Sequence, residues 1–118
     1  MHRFKDLEIW KLSRKYTSSI YEVTSGFPEK EKFGLSNQMR RASVSIPSNI
    51  AEGCSRKSNK DFLRFLEIAV GSCYELETQL LISNDLEYLD NEKLEKLTTE
   101  MNRIVMMISK FMTTLKDK

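Results

Sequence analysis

Apolar residues recur three and four positions apart in four long stretches of the chain, and no stretch alternates apolar with polar residues as a half-buried strand does. The first runs from about Lys5 to Thr24, with Ile9, Leu12, Tyr16, Ile20 and Val23 on one stripe and Phe27 just beyond it. Gly26 and Pro28 follow, a glycine and then a proline in the order that ends a helix. The second opens near Ser36 and carries Leu35, Met39, Ala42, Ile46 and Ile50 as far as Gly53. The third begins with Ser58 and Asp61, a capping pair three residues apart, and continues with Phe62, Phe65 or Leu66, Ala69, Cys73, Leu76 and Leu80. The fourth starts at Asp90 and keeps the most regular repeat: Leu94, Leu97, Met101, Ile104, Ile108, Phe111 and Leu115. Short links make neighbouring helices antiparallel, and 3-4 spacing is that of bundle packing. The pattern predicts a single all-α domain over residues 1–118, an up-down antiparallel four-helix bundle.

Two features complicate the pattern. Pro47 lies inside the second stretch, where it removes an amide and leaves the Ser43 carbonyl without its helical donor. This predicts a second helix kinked near Pro47, with a break into two helices as the alternative. Ser43, Ser45, Ser48 and Asn49 are nearby groups able to satisfy the freed backbone. Gly71 costs a helix interior about 1 kcal/mol relative to alanine; with Ala42, Ser43, Ala69 and Ser72 it predicts a close approach of the second and third helices. Apolar residues also overflow the main stripes. Leu7, Trp10 and Tyr21 form a second line on the first helix, and Met106, Met107 and Met112 flank the fourth. Either a wide buried stripe or an oligomer interface at Leu7, Trp10 and Tyr21 accounts for them.

The composition is that of an ordinary globular domain, 40% hydrophobic and 31% charged. The longest apolar run is far short of the roughly 20 residues that span a bilayer, and the N-terminus MHRFKDLEIW lacks the apolar centre of a signal peptide. Cys54 and Cys73 are too few for a disulfide framework and read as free thiols of a cytoplasmic protein.

Enzyme chemistry finds no support. The lone histidine is His2, which excludes the paired Glu-x-x-His motifs of di-iron bundles; no phosphate loop, nucleophile elbow or Cys/His pair occurs. Glu67, Glu75 and Glu77 fit solvated helix faces. The expectation is a protein without catalytic residues, metal or cofactor.

Charge is more informative. Net charge is +2, but residues 1–64 hold 13 Lys and Arg against 7 Asp and Glu. Arg40 and Arg41 precede the proline region, and Arg56, Lys57, Lys60 and Arg64 follow it across the next turn. Lys11, Arg14 and Lys15 add a positive stretch on the first helix. Rows of such side chains bind phosphate backbones, so these nine residues are the candidate nucleic-acid contacts. Glu52 stands in the last turn of its helix, where the dipole disfavours an anion; a structural ion pair with Arg56 or Arg41 offsets that.

The segments FKDLEIWKLSRK (4–15), FPEKEKFGLSNQMRRASVSIPSNIAEG (27–53) and RKSNKDFLRFLEIAVGSCYELETQLLI (56–82) resemble the four-helix bundle proteins encoded in intervening sequences of bacterial 23S ribosomal RNA genes. Leu7-x-Ile9-Trp10, Gln38-x-Arg40-Arg41-Ala42, Ser45-Ile46-x-x-Asn49-Ile50-Ala51-Glu52-Gly53 and Gly71-Ser72 carry the resemblance; Cys54-Ser55 departs from it. The resemblance implies a non-enzymatic homo-oligomer, a ring-shaped homopentamer. A similar class, the accessory variability proteins of diversity-generating retroelements, implies nucleic acid and a reverse transcriptase as partners. Carried over by residue, binding falls on Arg40, Arg41, Arg56 and Lys57, with Lys11, Arg14 and Lys15 on the first helix. The rival expectation is an assembly scaffold whose arginines make inter-subunit ion pairs.

Overall fold

A computed structural model describes residues 2–117. Four α-helices, α1 (Glu8–Thr24), α2 (Leu35–Cys54), α3 (Asn59–Asp85) and α4 (Asn91–Lys116), are joined by short links, with 3-10 turns at Phe4–Asp6 and Glu29–Glu31. Each helix packs on its sequence neighbours, and α1 packs on α4, which closes an up-down bundle 46 Å long. The expected start of the first helix at Lys5 is corrected: the chain makes a 3-10 turn there, passes through extended Leu7 (φ −80, ψ 127) and enters α1 at Glu8.

The predicted stripes fill the core. Ile20, Met39, Ile46, Ile50, Leu66, Leu76, Leu80 and Ile108 are fully buried, each contributing on the order of 1.5–3 kcal/mol of transfer free energy. Leu7, Trp10, Met107 and Met112 are half-buried and pack against this core. Met106 stays 65% exposed.

Capping follows the sequence. Ser58 Oγ accepts from Asp61 N at 3.1 Å, and Asp90 Oδ1 accepts from Lys93 N at 2.8 Å. Glu31 caps α2 from the preceding turn, its Oε1 accepting from Leu35 N at 3.1 Å, while the Tyr88 hydroxyl donates to its Oε2 at 3.0 Å and ties the two loops at that end together. After α3 the chain reverses at Glu87, whose φ of 64 is left-handed.

Pro47 does not divide the segment: α2 is one helix from Leu35 to Cys54. The freed Ser43 carbonyl is met from outside the helix, by the Thr17 hydroxyl of α1 at 3.0 Å. Ser43 Oγ itself donates to Arg40 O, and Asn49 Nδ2 donates to Ser45 O.

Of the small residues expected where the second and third helices approach, Ala42, Ala69 and Ser72 are buried and Ser72 bonds Ser45 of α2 at 2.8 Å, but Gly71 takes no part. Gly71 is exposed, and a Cβ built there meets nothing within 4 Å. Gly53 is the position that requires glycine: its Cβ would lie 2.7 Å from Phe62 Cδ1 and 3.1 Å from Phe65 Cβ. Gly53 is also helical, and α2 ends one residue after it.

Candidate nucleic-acid interface

The α2–α3 turn gathers four of the candidate cations at one end of the bundle. Ser55 Oγ donates to Glu52 O at 2.6 Å and Arg56 N to Gly53 O at 3.1 Å, and these bonds turn the chain after α2. The bend places Arg56 beside Glu52, Nη2 to Oε1 3.5 Å. Glu52 therefore pairs with Arg56 and not with Arg41. Both side chains are well exposed, so the pair is worth at most a few tenths of a kcal/mol, enough to offset the helix-end penalty on Glu52.

Phe65 holds the arginines in place. The Arg56 guanidinium lies 4.5 Å from its ring centroid and that of Arg64 5.6 Å from it. Arg64 also reaches Asp61 at 3.8 Å. Cation–π stacking of this kind restrains the guanidinium plane while leaving N–H donors at its edge for an incoming acceptor. Lys57 and Lys60 are exposed, and neither has an ion pair among the described residues.

The same end carries the start of the described chain and the end of α4. Asn59 Nδ2 donates to Leu115 O at 3.3 Å, and His2 makes edge-on ring contacts with Phe62 and Phe111 at centroid distances of 5.7 and 5.2 Å. Residues 2–11, 52–64 and 108–117 together hold nine Lys and Arg against five Asp and Glu. At the opposite end, residues 22–35 and 83–96 hold four against eight. The uneven charge noted along the sequence is thus, in space, a polarity along the bundle axis: an excess of four positive charges at one end and of four negative at the other.

The remaining candidates separate from this end. Arg40 is turned onto α1: its Nε donates to Thr24 Oγ1 at 2.8 Å and its guanidinium lies 4.8 Å from the Tyr21 ring centroid. Arg41 points away from α1 and lines a cleft between α2 and α3 with Gln38, Ser45, Ser72 and Glu75; the Ser45 and Ser72 hydroxyls bond each other there at 2.8 Å. Arg41 lies thirteen residues, about 20 Å, before the end of α2 at Cys54, and Arg56 follows in the turn. On α1, Lys11 pairs with Glu8 at 3.7 Å, Arg14 lies 5.3 Å from the Trp10 ring centroid, and Lys15 faces α4. Of the residues expected at an oligomer interface, Leu7 and Trp10 are half-buried and Tyr21, 43% exposed, is covered on one face by Arg40. Further exposed apolar side chains lie on α3, at Ile68, Tyr74, Leu81 and Ile82, a helix whose apolar residues run almost all round.

The thiols are buried and free. Burial pushes the Cys54 thiol up, and burial followed by the Glu77 charge pushes Cys73 up to about 12, so neither is poised as a nucleophile. No cluster of three or more His, Cys, Asp or Glu among the described residues is arranged to hold a metal ion, and no helix among them is long and apolar enough to cross a membrane. Periodicity located the cations on their helices. Phe65 as the shelf for two arginines, and Thr24 as the acceptor for Arg40, were not anticipated; Phe65 lies one and nine residues from its arginines, and no sequence spacing signals either contact.

Comparison with known proteins places this geometry. No curated protein matches the chain. Among solved structures, a protein of unknown function from the S23 ribosomal protein family of Bacteroides thetaiotaomicron VPI-5482, at 1.70 Å resolution, superposes with a TM-score of 0.82. It is 24% identical, over 89% of this chain and 95% of the other, and supports the fold alone. The 23S rRNA-intervening sequence proteins match over residues 5–110, a span that takes in all of α1, α2 and α3 and most of α4. With four helices in up-down order and a match over that length, the chain belongs to the 23S rRNA-intervening sequence protein family.

Proposed function

We propose that this protein is a non-enzymatic helical bundle that binds nucleic acid, RNA or DNA, through its basic end. The observation that carries the reading is the grouping of Arg56 and Arg64 on the Phe65 ring beside Lys57 and Lys60, which have no ion pair among the described residues. Two restrained guanidinium groups present directional donors, and two mobile ammonium groups add charge, the combination that phosphate backbones favour. The test is the salt dependence of affinity for single-stranded RNA and duplex DNA. Affinity should fall steeply between about 50 and 200 mM salt, and a Lys57→Ala/Lys60→Ala variant should bind more weakly with a shallower slope. Affinity indifferent to salt sinks the proposal.

A second reading is favoured by the exposed Ile68, Tyr74, Leu81 and Ile82 on α3. In it the chain is an assembly scaffold whose arginines pair between subunits; the homopentamer and the reverse-transcriptase partner implied by the resemblance fit either reading. Light scattering separates the readings. If the scaffold reading holds, Arg56→Ala/Arg64→Ala lowers the oligomer mass; if the first holds, the mass is unchanged and only nucleic-acid affinity drops.

A further inference from the structure

The cations that the basic end does not use include a second convergence, on the opposite side of the bundle from the α2/α3 pair. There α1 and α4 meet less extensively than the other neighbouring helices, and a cleft of about 340 Å³ opens between them. Helical spacing builds it. On α1, Leu12, Lys15 and Ser19 follow one another at i, i+3 and i+7; on antiparallel α4, Lys96, Glu100 and Arg103 do so at i, i+4 and i+7. Each helix thus sets a line of polar heads above core residues. Ile104 is 3% exposed and Tyr16 2%, and Tyr16 crosses the seam by donating its hydroxyl to Leu97 O at 2.7 Å.

The polar heads are uncommitted. Among the described residues Lys15, Lys96, Glu100 and Arg103 have no ion pair within 4.0 Å, although all line one cleft, and the Ser19 hydroxyl has no hydrogen-bond partner. This sets the cleft apart from the basic end, where Arg56 and Arg64 each have a carboxylate in reach. Three positive groups against one carboxylate leave an excess of two charges over an apolar base, and such a site is stabilised by an anion from outside. The field of Glu100 does reach the base: the Tyr16 phenol is raised first by burial and next by that carboxylate.

We propose that the α1/α4 cleft binds a phosphate carried on a flat apolar body, the chemistry of a nucleotide. Lys15, Lys96 and Arg103 hold the phosphate, Ser19 adds a neutral donor, and the body lies against half-buried Leu12. The volume is at the lower end of small-molecule sites, roughly 300–1,000 Å³, room for a single nucleotide and not for a duplex. That nucleotide is either free or the 5′-phosphorylated end of a strand. The proposal is independent of the basic end, whose residues lie elsewhere.

The experiment is a titration of the full chain, followed by amide chemical shifts, with adenosine 5′-monophosphate, inorganic phosphate, and a short single-stranded oligonucleotide with and without a 5′-phosphate. Shifts centred on Lys15, Ser19, Lys96 and Arg103 are expected. Lys96→Ala/Arg103→Ala should weaken the monophosphate about tenfold or more, since bonds to charged groups are the stronger ones. Both residues are exposed, so the fold should persist. Glu100→Gln should tighten monophosphate binding by removing the carboxylate that lines the cleft, and Lys57→Ala/Lys60→Ala should leave monophosphate binding unchanged. Monophosphate binding identifies a free nucleotide; binding confined to the 5′-phosphorylated strand identifies a strand end, and either supports the site. Inorganic phosphate binding as well as the monophosphate overturns the role of the apolar body. Monophosphate shifts that fall elsewhere, indifference to the double variant, or weakening by Glu100→Gln overturns the site.

Discussion

The Thr17 hydroxyl of α1 lies 3.0 Å from the Ser43 carbonyl of α2, the acceptor that Pro47 deprives of its helical partner. The same hydroxyl is 3.1 Å from its own helix at Ser13 O, so its single proton is shared or alternates between the two. A break in one helix is thus repaired by the next, and this is how α2 carries proline in its interior without dividing.

Thr17→Val should accordingly cost about 1 kcal/mol, the worth of a part-buried hydrogen bond whose acceptor is left bare. In a Pro47→Ala background, where residue 47 regains its N–H, the same change should cost little. Urea unfolding of the four chains closes the cycle; equal costs in both backgrounds refute the repair.

The two helical glycines should respond in opposite directions. Gly71→Ala adds a methyl to open space on an exposed helix face and should stabilise by about 0.5–1 kcal/mol. Gly53→Ala drives a methyl against the buried Phe62 ring and the Phe65 Cβ and should destabilise by about 1–3 kcal/mol. Melting temperatures that move the same way count against this assignment.

Adjacent arginines should also part company. Arg40→Ala removes the 2.8 Å bond to Thr24 and the stacking on Tyr21, and a loss of about 1–2 kcal/mol is expected. Arg41→Ala should stay within about 0.5 kcal/mol of the parent. Chemical denaturation of each variant decides it, and it also separates loss of nucleic-acid binding from loss of the fold.

Alkaline conditions should weaken the bundle. Cys73, pushed up to about 12, and Tyr16, raised by burial and by Glu100, remain neutral when folded at pH values where the unfolded chain ionises. The unfolded state then binds fewer protons, so stability is intact below about pH 8. It falls as pH rises past the ordinary values of 9.0 and 10.0, by up to about 1.4 kcal/mol per pH unit for each group. Tyr16→Phe should remove the part of the slope above pH 10, as read from urea midpoints between pH 8 and 11; an unaltered slope contradicts it.

How much of this was legible follows from the range of each interaction. Helix positions, caps at Ser58 and Asp90, and the buried stripes depend on spacings of three and four residues, which a sequence displays directly. The Glu52–Arg56 pair is of the same kind. The 3-10 turn at Phe4–Asp6 reads as helix in the sequence because three residues are too few to separate a period of 3.0 from one of 3.6. Gly53 and not Gly71 has a close neighbour because a close approach depends on what the partner helix presents: Phe62 faces Gly53, and nothing faces Gly71. Thr17 on Ser43, Tyr16 on Leu97 and the α1/α4 cleft join residues 26 to about 90 positions apart, where only the packed bundle sets the register.

The division of charge between the two ends gives the molecule a direction. Near a polyanion it experiences a torque as well as an attraction, and it should swing so that the α2–α3 turn leads. Copies lying side by side would be opposed in parallel alignment and drawn together head to tail. A landed molecule would present its carboxylate-rich pole outward, as a fresh surface for whatever cationic body comes next.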